Sequence, residues 1–253
     1  MPDRGQLRVE VDRLTKTFGA NTAIAGVSFT ARDHEFVALV GPSGCGKSTT
    51  LRIVAGLLNP TGGTVRVNQR DVRGPVANAG MVFQAPVLLP WRRMLDNILF
   101  TAEMRGQPRE AVRTRAADLI RLAGLDGSED RYPHELSGGM QQRAAICRAL
   151  LLQPSLLLMD EPFGALDVLT RERLAFQLQR IWTANRSTVL FVTHSISEAV
   201  LLADTILVFG PGRIRTIVPV DLPRPREPAT LRDPRFLDLS AAIREQMESE
   251  WAD

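Results

Sequence analysis

The stretch FVALVGPSGCGKSTTLRIV, residues 36–54, decides the fold of this chain. Its first five residues form a continuous apolar run, which is typical of a buried strand in a parallel sheet. A glycine-rich turn interrupts the run, and a helical pattern begins at Lys47, where we predict a helix to about Leu57. The order of strand, glycine-rich turn and helix is that of a βαβ unit, so the sequence predicts an α/β fold.

The turn GPSGCGKST at residues 41–49, called the phosphate loop below, fits the pattern G-x-x-x-x-G-K-[ST]. In this pattern backbone N–H groups and the helix dipole surround phosphates, the lysine reaches the terminal phosphates, and the next hydroxyl binds Mg²⁺. Only two of the 31 basic residues are lysines, and one is Lys47, which indicates that a compact charge is needed there. The residues predicted to bind a nucleoside triphosphate are Gly41, Pro42, Ser43, Gly44, Cys45, Gly46, Lys47, Ser48 and Thr49.

Two further apolar runs end in polar residues that suit the same chemistry. LLLMDEP at residues 156–162 contains Asp160 and Glu161, and FVTHS at residues 191–195 contains His194. Because ligands bind at the carboxyl ends of parallel strands, we expect these side chains to face the phosphates. Asp160 would then bind Mg²⁺ through water, Glu161 would polarise the attacking water, and His194 would contact the terminal phosphate. Helix capping by the acids and a structural hydrogen bond by the histidine are the alternatives.

The remaining pattern divides the chain into four segments. Residues 1–90 combine an N-terminal β part with the first half of the nucleotide-binding core, and residues 91–150 are predicted to be mostly helical. Residues 151–220 hold the second half of the core, where the last predicted strand is residues 205–210, and residues 221–253 form a tail with an amphipathic helix. Strands that alternate with helices predict a parallel sheet covered on both faces. The stripe of the last helix, predicted to pack on its own domain, is Phe236, Ser240, Ile243, Met247 and Trp251.

Composition excludes several functional classes. The 253 residues are 44% hydrophobic and 23% charged, with a net charge of +3, which is typical of globular proteins. No dense basic block is present, so no nucleic-acid partner is expected. The two cysteines, Cys45 and Cys147, and the scattered histidines lack metal-ligand spacing, so no His/Cys metal site is predicted. Cys45 lies at a helix N-terminus, where a thiolate is favoured, and we expect thiol alkylation there to block nucleotide binding.

With these motifs in order, the sequence resembles the nucleotide-binding subunit of ATP-binding cassette (ABC) transporters over about residues 7–225. The resemblance rests on GPSGCGKST, VFQ, LSGGMQQR, LLLMDEP, GALD and TH, which follow one another in the family's order. It implies a P-loop NTPase fold with a RecA-like parallel sheet, an N-terminal antiparallel β part and a helical subdomain, and it implies an ATPase that uses ATP and Mg²⁺. Two departures are Met140, where LSGGQ is usual, and Ser195, where many members have aspartate. Ser195 and Glu198 also fit a capping box.

The resemblance assigns further roles. Phe18 would stack on the adenine, although packing along its strand is equally consistent with the sequence. Gln84 would join the Mg²⁺ and water network and act as a hinge to the helical subdomain. In the family two copies pack head to tail, and the LSGG of one copy closes over the ATP held by the other; alone, LSGG is also consistent with a helix cap. The residues that would face the partner copy and its ATP are Ser137, Gly138, Gly139 and Asp167.

The resemblance extends to a subgroup, because QAPVLLPWRRMLDNI, DEPFGALDVLTRERL, HSISEAVLLADTILVFGPGRI and LPRPR look most like the nitrate, sulfonate and taurine importers. No apolar run reaches the roughly 18 residues that span a bilayer, and no signal core is evident. We therefore expect a peripheral protein on the cytoplasmic face of the inner membrane, with a separate multi-span permease and, indirectly, a solute-binding protein. The groove near Gln84 to Trp91 would contact the permease, although Trp91 is equally consistent with a buried anchor. The alternative function is a soluble ABC ATPase acting on ribosomes or nucleic acid.

Overall fold

In the computed structural model of the chain, residues 6–164 and 166–248 are described, and they form two β-sheets with helices against both faces of the larger sheet. The strands are β1 (Leu7–Phe18), β2 (Asn21–Arg32), β3 (Phe36–Val40), β4 (Gly62–Val67), β5 (Arg70–Asp71), β6 (Ala79–Val82), β7 (Leu156–Asp160), β8 (Thr188–Thr193), β9 (Thr205–Gly210) and β10 (Arg213–Pro219). The helices are α1 (Lys47–Val54), α2 (Met94–Met104), α3 (Arg109–Leu122), α4 (Gly138–Leu150), α5 (Val168–Asn185), α6 (Ile196–Leu202) and α7 (Pro234–Glu248). Short 3₁₀ helices are formed by Pro133–Glu135 and Pro228–Arg232.

The larger sheet has the strand order β10-β9-β3-β8-β7-β6, and the strands from β9 to β6 are all parallel. The smaller sheet, with the order β2-β1-β4-β5, is antiparallel. The predicted parallel core and N-terminal antiparallel part are therefore confirmed. Strand β10 was not predicted, and it pairs antiparallel with β9. The turn signal GPG at residues 210–212 marks a hairpin there, and the unpaired edge of β9 supplies the hydrogen bonds that stabilise the extra strand.

Helix α1 is shorter than predicted, because it ends at Val54 and not near Leu57. Gly56 adopts a left-handed conformation with φ of 72°, which ends the helical path. A Cβ atom at this position would lie 1.8 Å from the carbonyl oxygen of Gly74. Glycine is therefore required at position 56, both for its left-handed conformation and for the close approach of the neighbouring loop.

Each face of the larger sheet carries an apolar core. On one face, Val37 and Leu39 of β3 belong to a cluster with α1 and the smaller sheet. On the other face, Ala38 of the same strand belongs to a cluster with α2 to α7, because successive side chains of a strand point to opposite faces. The helices α2 to α4 share this second core with the sheet.

The predicted segment boundaries at residues 90, 150 and 220 lie outside strand and helix interiors, and the division into four units stays a prediction.

The C-terminal helix α7 packs on the same domain, as its apolar stripe predicts. Phe236 and Ile243 are buried in the second core, and Met247 packs against it. Ser240 of the stripe donates its hydroxyl to the carbonyl oxygen of Phe236 at 2.7 Å. Trp251, the last residue of the predicted stripe, lies outside the described residues. Within the part of the chain that the structure describes, no helix combines the length and the apolarity needed to cross a bilayer.

Arg226, in the segment between β10 and α7, is buried with 1% of its surface exposed. Its guanidinium Nη1 donates to the carbonyl oxygens of Val200, Leu201 and Ala203 at 2.8, 3.1 and 2.7 Å. These carbonyls lie at the C-terminal end of α6, where backbone acceptors lack helical partners and the dipole favours a cation. Burial lowers the pKa of Arg226 to about 10, so the group remains charged at neutral pH. The arginine therefore closes the helix end from inside the core.

Substitution Arg226→Leu replaces the aliphatic part of the side chain and removes the guanidinium, which is the donor for three buried carbonyl oxygens. We expect the free energy of unfolding to fall by about 3 kcal/mol, because buried acceptors without partners carry a full desolvation cost. Chemical denaturation followed by circular dichroism measures this change. The control Arg232→Leu removes an exposed arginine nearby and is expected to change stability by less than about 0.5 kcal/mol. Equal stabilities of the two variants would contradict this account of Arg226.

Candidate functional site

The phosphate loop connects β3 to α1, as the sequence predicts. Gly44 and Gly46 adopt φ of 81° and 103°, which side chains disfavour. A Cβ atom on Gly46 would lie 2.6 Å from the carbonyl oxygen of Ala23, so only glycine fits. The first turn of α1 has neither a side-chain cap nor an acidic residue. Its N–H groups and the positive end of its dipole are therefore free to bind an anion, which fits a nucleotide phosphate.

Lys47 is buried, and its Nζ donates to the carbonyl oxygens of Gly41 and Pro42 at 2.8 and 2.7 Å. These two bonds hold the positive charge against the loop. The Cys45 sulfur lies 3.5 Å from the same Nζ, and the thiol is buried in the apolar cluster that includes α1. This burial limits access to the sulfur, so an alkylating reagent would first have to open the loop, and the predicted block of nucleotide binding by alkylation stays a prediction.

The other residues of the loop differ in exposure. Ser43 and Gly44 are exposed at its tip, whereas Ser48 and Thr49 are half-buried in the first turn of α1. The carbonyl oxygen of Gly46 accepts hydrogen bonds from the Thr50 N–H and hydroxyl at 2.8 and 2.9 Å. The tip of the loop and the first turn of α1 are therefore the parts of the phosphate loop that solvent reaches.

Ser48 and Asp160 bring two oxygen donors together from distant parts of the chain. The Ser48 hydroxyl donates to Oδ1 of Asp160 at 2.5 Å, and Arg52 lies 3.6 Å from Oδ2 of the same carboxylate. Hydroxyl and carboxylate oxygens are ligands that Mg²⁺ prefers, with the remaining ligands supplied by phosphate and water. Among the described residues, no group of three or more His, Cys, Asp and Glu side chains is arranged to hold a metal. The pair therefore fits a metal that arrives with a phosphate.

Glu161 and His194 lie together at the carboxyl ends of β7 and β8. The Glu161 N–H donates to the carbonyl oxygen of Val192 at 3.0 Å, and Glu161 adopts φ of 44°. A left-handed conformation costs a non-glycine residue on the order of 1 kcal/mol, so the surrounding bonds must hold it. Nδ1 of His194 lies 3.4 Å from Oε2 of Glu161. Both side chains thus lie at the predicted edge, beside Asp160.

Arg171 of α5 is a residue of this site that the motifs do not mark. Its Nε donates to the carbonyl oxygen of Leu166 at 2.7 Å, and its Nη2 donates to that of Gly164 at 2.8 Å. Its Nη1 lies 3.3 Å from Nε2 of His194. The available sequence signal is its position four residues after Asp167, one helical turn along α5. That spacing predicts a shared helix face and does not predict the contact with His194.

Gln84 and Phe18 lie at the periphery of the predicted site. Gln84 follows β6, and a Cβ atom on Gly164 would lie 3.2 Å from its Nε2. The amide therefore lies close to the turn that begins at Glu161, where the Gly164 N–H donates to the Glu161 carbonyl oxygen at 3.0 Å. Phe18 is the last residue of β1 and is 49% exposed, with the Lys16 ammonium 5.0 Å from the ring centroid. Its ring is available for stacking.

The LSGG motif begins helix α4. The Ser137 hydroxyl accepts the N–H of Met140 at 3.3 Å, and Gly138 and Gly139 form the first turn of the helix. The Met140 side chain, which departs from the family's glutamine, packs against the second core. The departure therefore leaves the main-chain N–H groups of the glycines unaltered.

A cavity of about 540 Å³ opens beside this helix N-terminus. Its lining includes Ser137, Gly138, Gly139, Arg143 and Asp167, and no described residue of the phosphate loop. The Asp167 carboxylate accepts the N–H of Thr170 at 3.1 Å, and hydrogen bonding by the Thr170 side chain, followed by this main-chain bond, lowers the pKa of Asp167. Within one chain, the cavity beside the LSGG motif thus has no described lining residue in common with the phosphate loop.

The predicted capping box at Ser195 is half formed. The Ser195 hydroxyl accepts the N–H of Glu198 at 3.3 Å, as predicted. The Glu198 carboxylate instead accepts the Thr193 hydroxyl at 2.6 Å, and the Ser195 N–H donates to that hydroxyl at 3.0 Å. Burial raises the pKa of Glu198. The reciprocal bond is lost because a strand-end threonine is the nearer donor for a carboxyl group that points into the protein.

Trp91 is 70% exposed, so its interpretation as a buried anchor is wrong. Two other apolar residues of the segment between β6 and α2, Phe83 and Val87, are also exposed. The same segment is attached to the helices through Asn97, whose amide pairs with the main chain of Leu89 in both directions at 2.7 and 3.1 Å. An ordered segment therefore presents apolar side chains to the solvent.

A parallel sheet, a glycine-rich loop that leads into an uncapped helix, and carboxylates at strand ends define a P-loop nucleoside triphosphatase. The profile of the family described as ABC transporter matches residues 24–164. The chain is 47% identical over 231 residues to an uncharacterised ABC transporter ATP-binding protein of Methanocaldococcus jannaschii, covering 89% of this chain and 86% of that protein. It is 44% identical over 239 residues to a taurine import ATP-binding protein of Burkholderia pseudomallei, covering 92% of each.

Among solved structures, a dimeric ATP-binding cassette in a post-hydrolysis state with ADP and phosphate matches with a TM-score of 0.74 and 30% identity. The match covers 85% of this chain and 99% of that one. The chain belongs to the ABC transporter family, and it is an ATP-binding subunit with ATPase activity. The P-loop NTPase fold predicted from the sequence is confirmed.

Substitution Gly46→Ala tests the close approach in the phosphate loop. The added Cβ would lie 2.6 Å from a carbonyl oxygen of β2, so the loop must move away from it. We expect the affinity for ATP to fall at least about tenfold, measured by titration with a fluorescent ATP analogue. The control Gly106→Ala also places alanine at a positive φ, of 66°, but meets no atom within 4 Å. Wild-type affinity in Gly46→Ala would contradict the steric argument.

Proposed function

We propose that the chain is the ATP-hydrolysing motor subunit of an ABC importer of the nitrate, sulfonate and taurine type. The proposed ATP hydrolysis is supported by two contacts at one edge of the sheet: Ser48 contacts Asp160, and Glu161 contacts His194. The importer part is supported by the 44% identity to a taurine import ATP-binding protein across 92% of both chains. The motor acts with a separate permease and, through it, with a solute-binding protein.

Binding of ATP uses the main chain of the phosphate loop. The N–H groups of residues 41–49 surround the phosphates, and the Lys47 ammonium exchanges its loop carbonyls for phosphate oxygens. The exposed face of Phe18 stacks on the adenine. Ser48 and Asp160 would hold Mg²⁺, with Gln84 in the surrounding network, and the metal would neutralise phosphate charge when bound.

Hydrolysis depends on the residues that follow β7 and β8. Glu161 orients the attacking water and accepts its proton, because a carboxylate held by its neighbours is a competent general base. His194 contacts the terminal phosphate and, through its Nδ1, restrains the Glu161 carboxylate. Gln84 lies near the turn after Glu161, so a displacement of the segment between β6 and α2 reaches the water site directly.

The complete site is shared between two copies of the chain. Ser137, Gly138 and Gly139 offer a second helix N-terminus, and the cavity beside them contains no described residue of the phosphate loop. A partner packed head to tail supplies the missing phosphate, with Asp167 at the interface. Since ATP then contacts both copies, it binds the closed dimer more tightly and shifts the population toward closure.

The permease contacts the segment between β6 and α2. The exposed apolar side chains there, with Trp91 the largest, form a surface of the kind that partner proteins cover. The motor is then peripheral, on the cytoplasmic face of the inner membrane. Movement of the segment couples the permease to Gln84 and so to the nucleotide.

Substitution Glu161→Gln removes the base and keeps the size of the side chain. We expect ATP binding to persist, ATP-dependent dimers to accumulate, and turnover to fall by roughly 10²–10⁴. Phosphate release measures turnover, and light scattering after size-exclusion chromatography measures the dimer. Glu110→Gln, an exposed change on α3, serves as the control. Near-normal hydrolysis by Glu161→Gln would remove Glu161 from the proposed role.

The importer assignment is tested by identifying the proteins that co-purify with this chain. Glu161→Gln, loaded with Mg-ATP, is isolated from gently solubilised native membranes, and we expect a multi-span membrane protein to accompany it. Adding Trp91→Ala is expected to reduce this capture severalfold, whereas Leu57→Ala, an exposed apolar residue elsewhere, is not. Capture of ribosomes, nucleic acid or soluble proteins alone would contradict the importer and favour a soluble ABC ATPase.

A further inference from the structure

Arg171 connects three elements around the proposed catalytic centre. Its Nε and Nη2 donate to the carbonyl oxygens of Leu166 and Gly164, in the turn that leads from β7 to α5. Its third nitrogen, Nη1, lies 3.3 Å from Nε2 of His194, which follows β8. The planar guanidinium fork presents donors in fixed directions, so the two carbonyl bonds determine where the third donor points. The orientation of Arg171 is thus set by main-chain atoms.

The contact with Arg171 favours one of the two ring nitrogens of His194 as the site of the proton. An arginine side chain has donors and no acceptor, so Nε2 must accept this hydrogen bond. The neutral imidazole then carries its proton on Nδ1. Nδ1 lies 3.4 Å from Oε2 of Glu161, and an ionised carboxylate can only accept. The two hydrogen bonds therefore have the same direction: Arg171 donates to His194, and His194 donates to Glu161.

We propose that Arg171 is a positioning residue for ATP hydrolysis, which selects the Nδ1–H tautomer of His194 and orients its ring toward Glu161. The inference rests on the proposed roles of His194 and Glu161. Arg171 acts through His194 and touches no reacting atom. Because the same guanidinium holds the carbonyl group next to Asp167, the ring orientation also depends on the segment proposed to face the partner copy.

The tautomer can be read directly by nitrogen NMR. The full-length chain contains only three histidines, so ¹⁵N-histidine labelling gives few ring signals, and His34→Gln and His134→Gln assign them. At about pH 8.5, above the ordinary pKa of histidine, we expect His194 of the nucleotide-free protein to carry its proton on Nδ1. In Arg171→Ala only the Glu161 carboxylate still favours a proton on Nδ1. We therefore expect the population of the Nε2–H form, which free imidazole side chains favour, to rise above that of the wild type. Arg171→Lys keeps the charge without the fork and should give a mixture.

Kinetics separate positioning from a general loss of structure. We expect Arg171→Ala to lower kcat roughly tenfold while KM for ATP changes by less than about twofold, because the lost interaction serves the transition state. Arg171→Lys should recover part of kcat. The control Arg180→Ala removes an exposed arginine of the same helix and should match the wild type in tautomer, kcat and melting temperature.

Two results would overturn the inference about Arg171. One is a mainly Nε2–H tautomer of His194 in the wild type. The other is a tautomer population in Arg171→Ala that equals that of the wild type, even if kcat falls. Neither result would affect the proposed ATPase function. Conversely, a wild-type rate of hydrolysis in His194→Ala would show that His194 has no role in catalysis. Arg171 would then have no catalytic effect through His194, whichever tautomer the wild type adopts.

Discussion

The parallel pairing of β3, β8 and β7 is the constraint on which the rest of the structure depends. In the observed register Val40 lies opposite Thr193, and Asp160 lies opposite Val192. The three strands therefore end at the same edge, and the residues that follow them meet there. A slip of one residue in either pair would turn alternate side chains to the other face of the sheet and separate the acidic groups from the phosphate loop.

In the proposed function, main-chain groups carry most of the phosphate recognition. Helices α1 and α4 each begin with glycines and offer N–H groups at a positive dipole end, one at Gly46 and one at Ser137. Side chains can change around such a site with little effect on it. Met140 turns to the core and Ser195 becomes a helix cap, so both departures from the family's usual residues are absorbed by local packing and hydrogen bonding.

Arginine has a second role in this chain, because its forked donors join segments that are far apart in sequence. Arg226 closes α6 from within the core, and Arg143 donates to the carbonyl oxygens of Ala123 and Gly124 where α3 ends. A lysine at either position would offer a compact charge without the planar fork. The composition agrees with these different roles of arginine and lysine. The chain has only two lysines, and one of them, Lys47, is buried in the phosphate loop. These two arginines thus stabilise connections that apolar packing alone would leave with unpaired carbonyl groups.

The sequence by itself determined the parallel core, the phosphate loop and the strand-end residues Asp160, Glu161 and His194, because each depends on local order along the chain. Strand type follows from an apolar run, a phosphate loop from glycine spacing, and a common edge from parallel direction. Only the tertiary structure decided the pairing of β10, the partner of the Glu198 carboxyl group and the contact of Arg171 with His194. These features depend on atoms brought together from separate elements, and periodicity within one element holds no information about which distant carbonyl or ring will lie within hydrogen-bond distance.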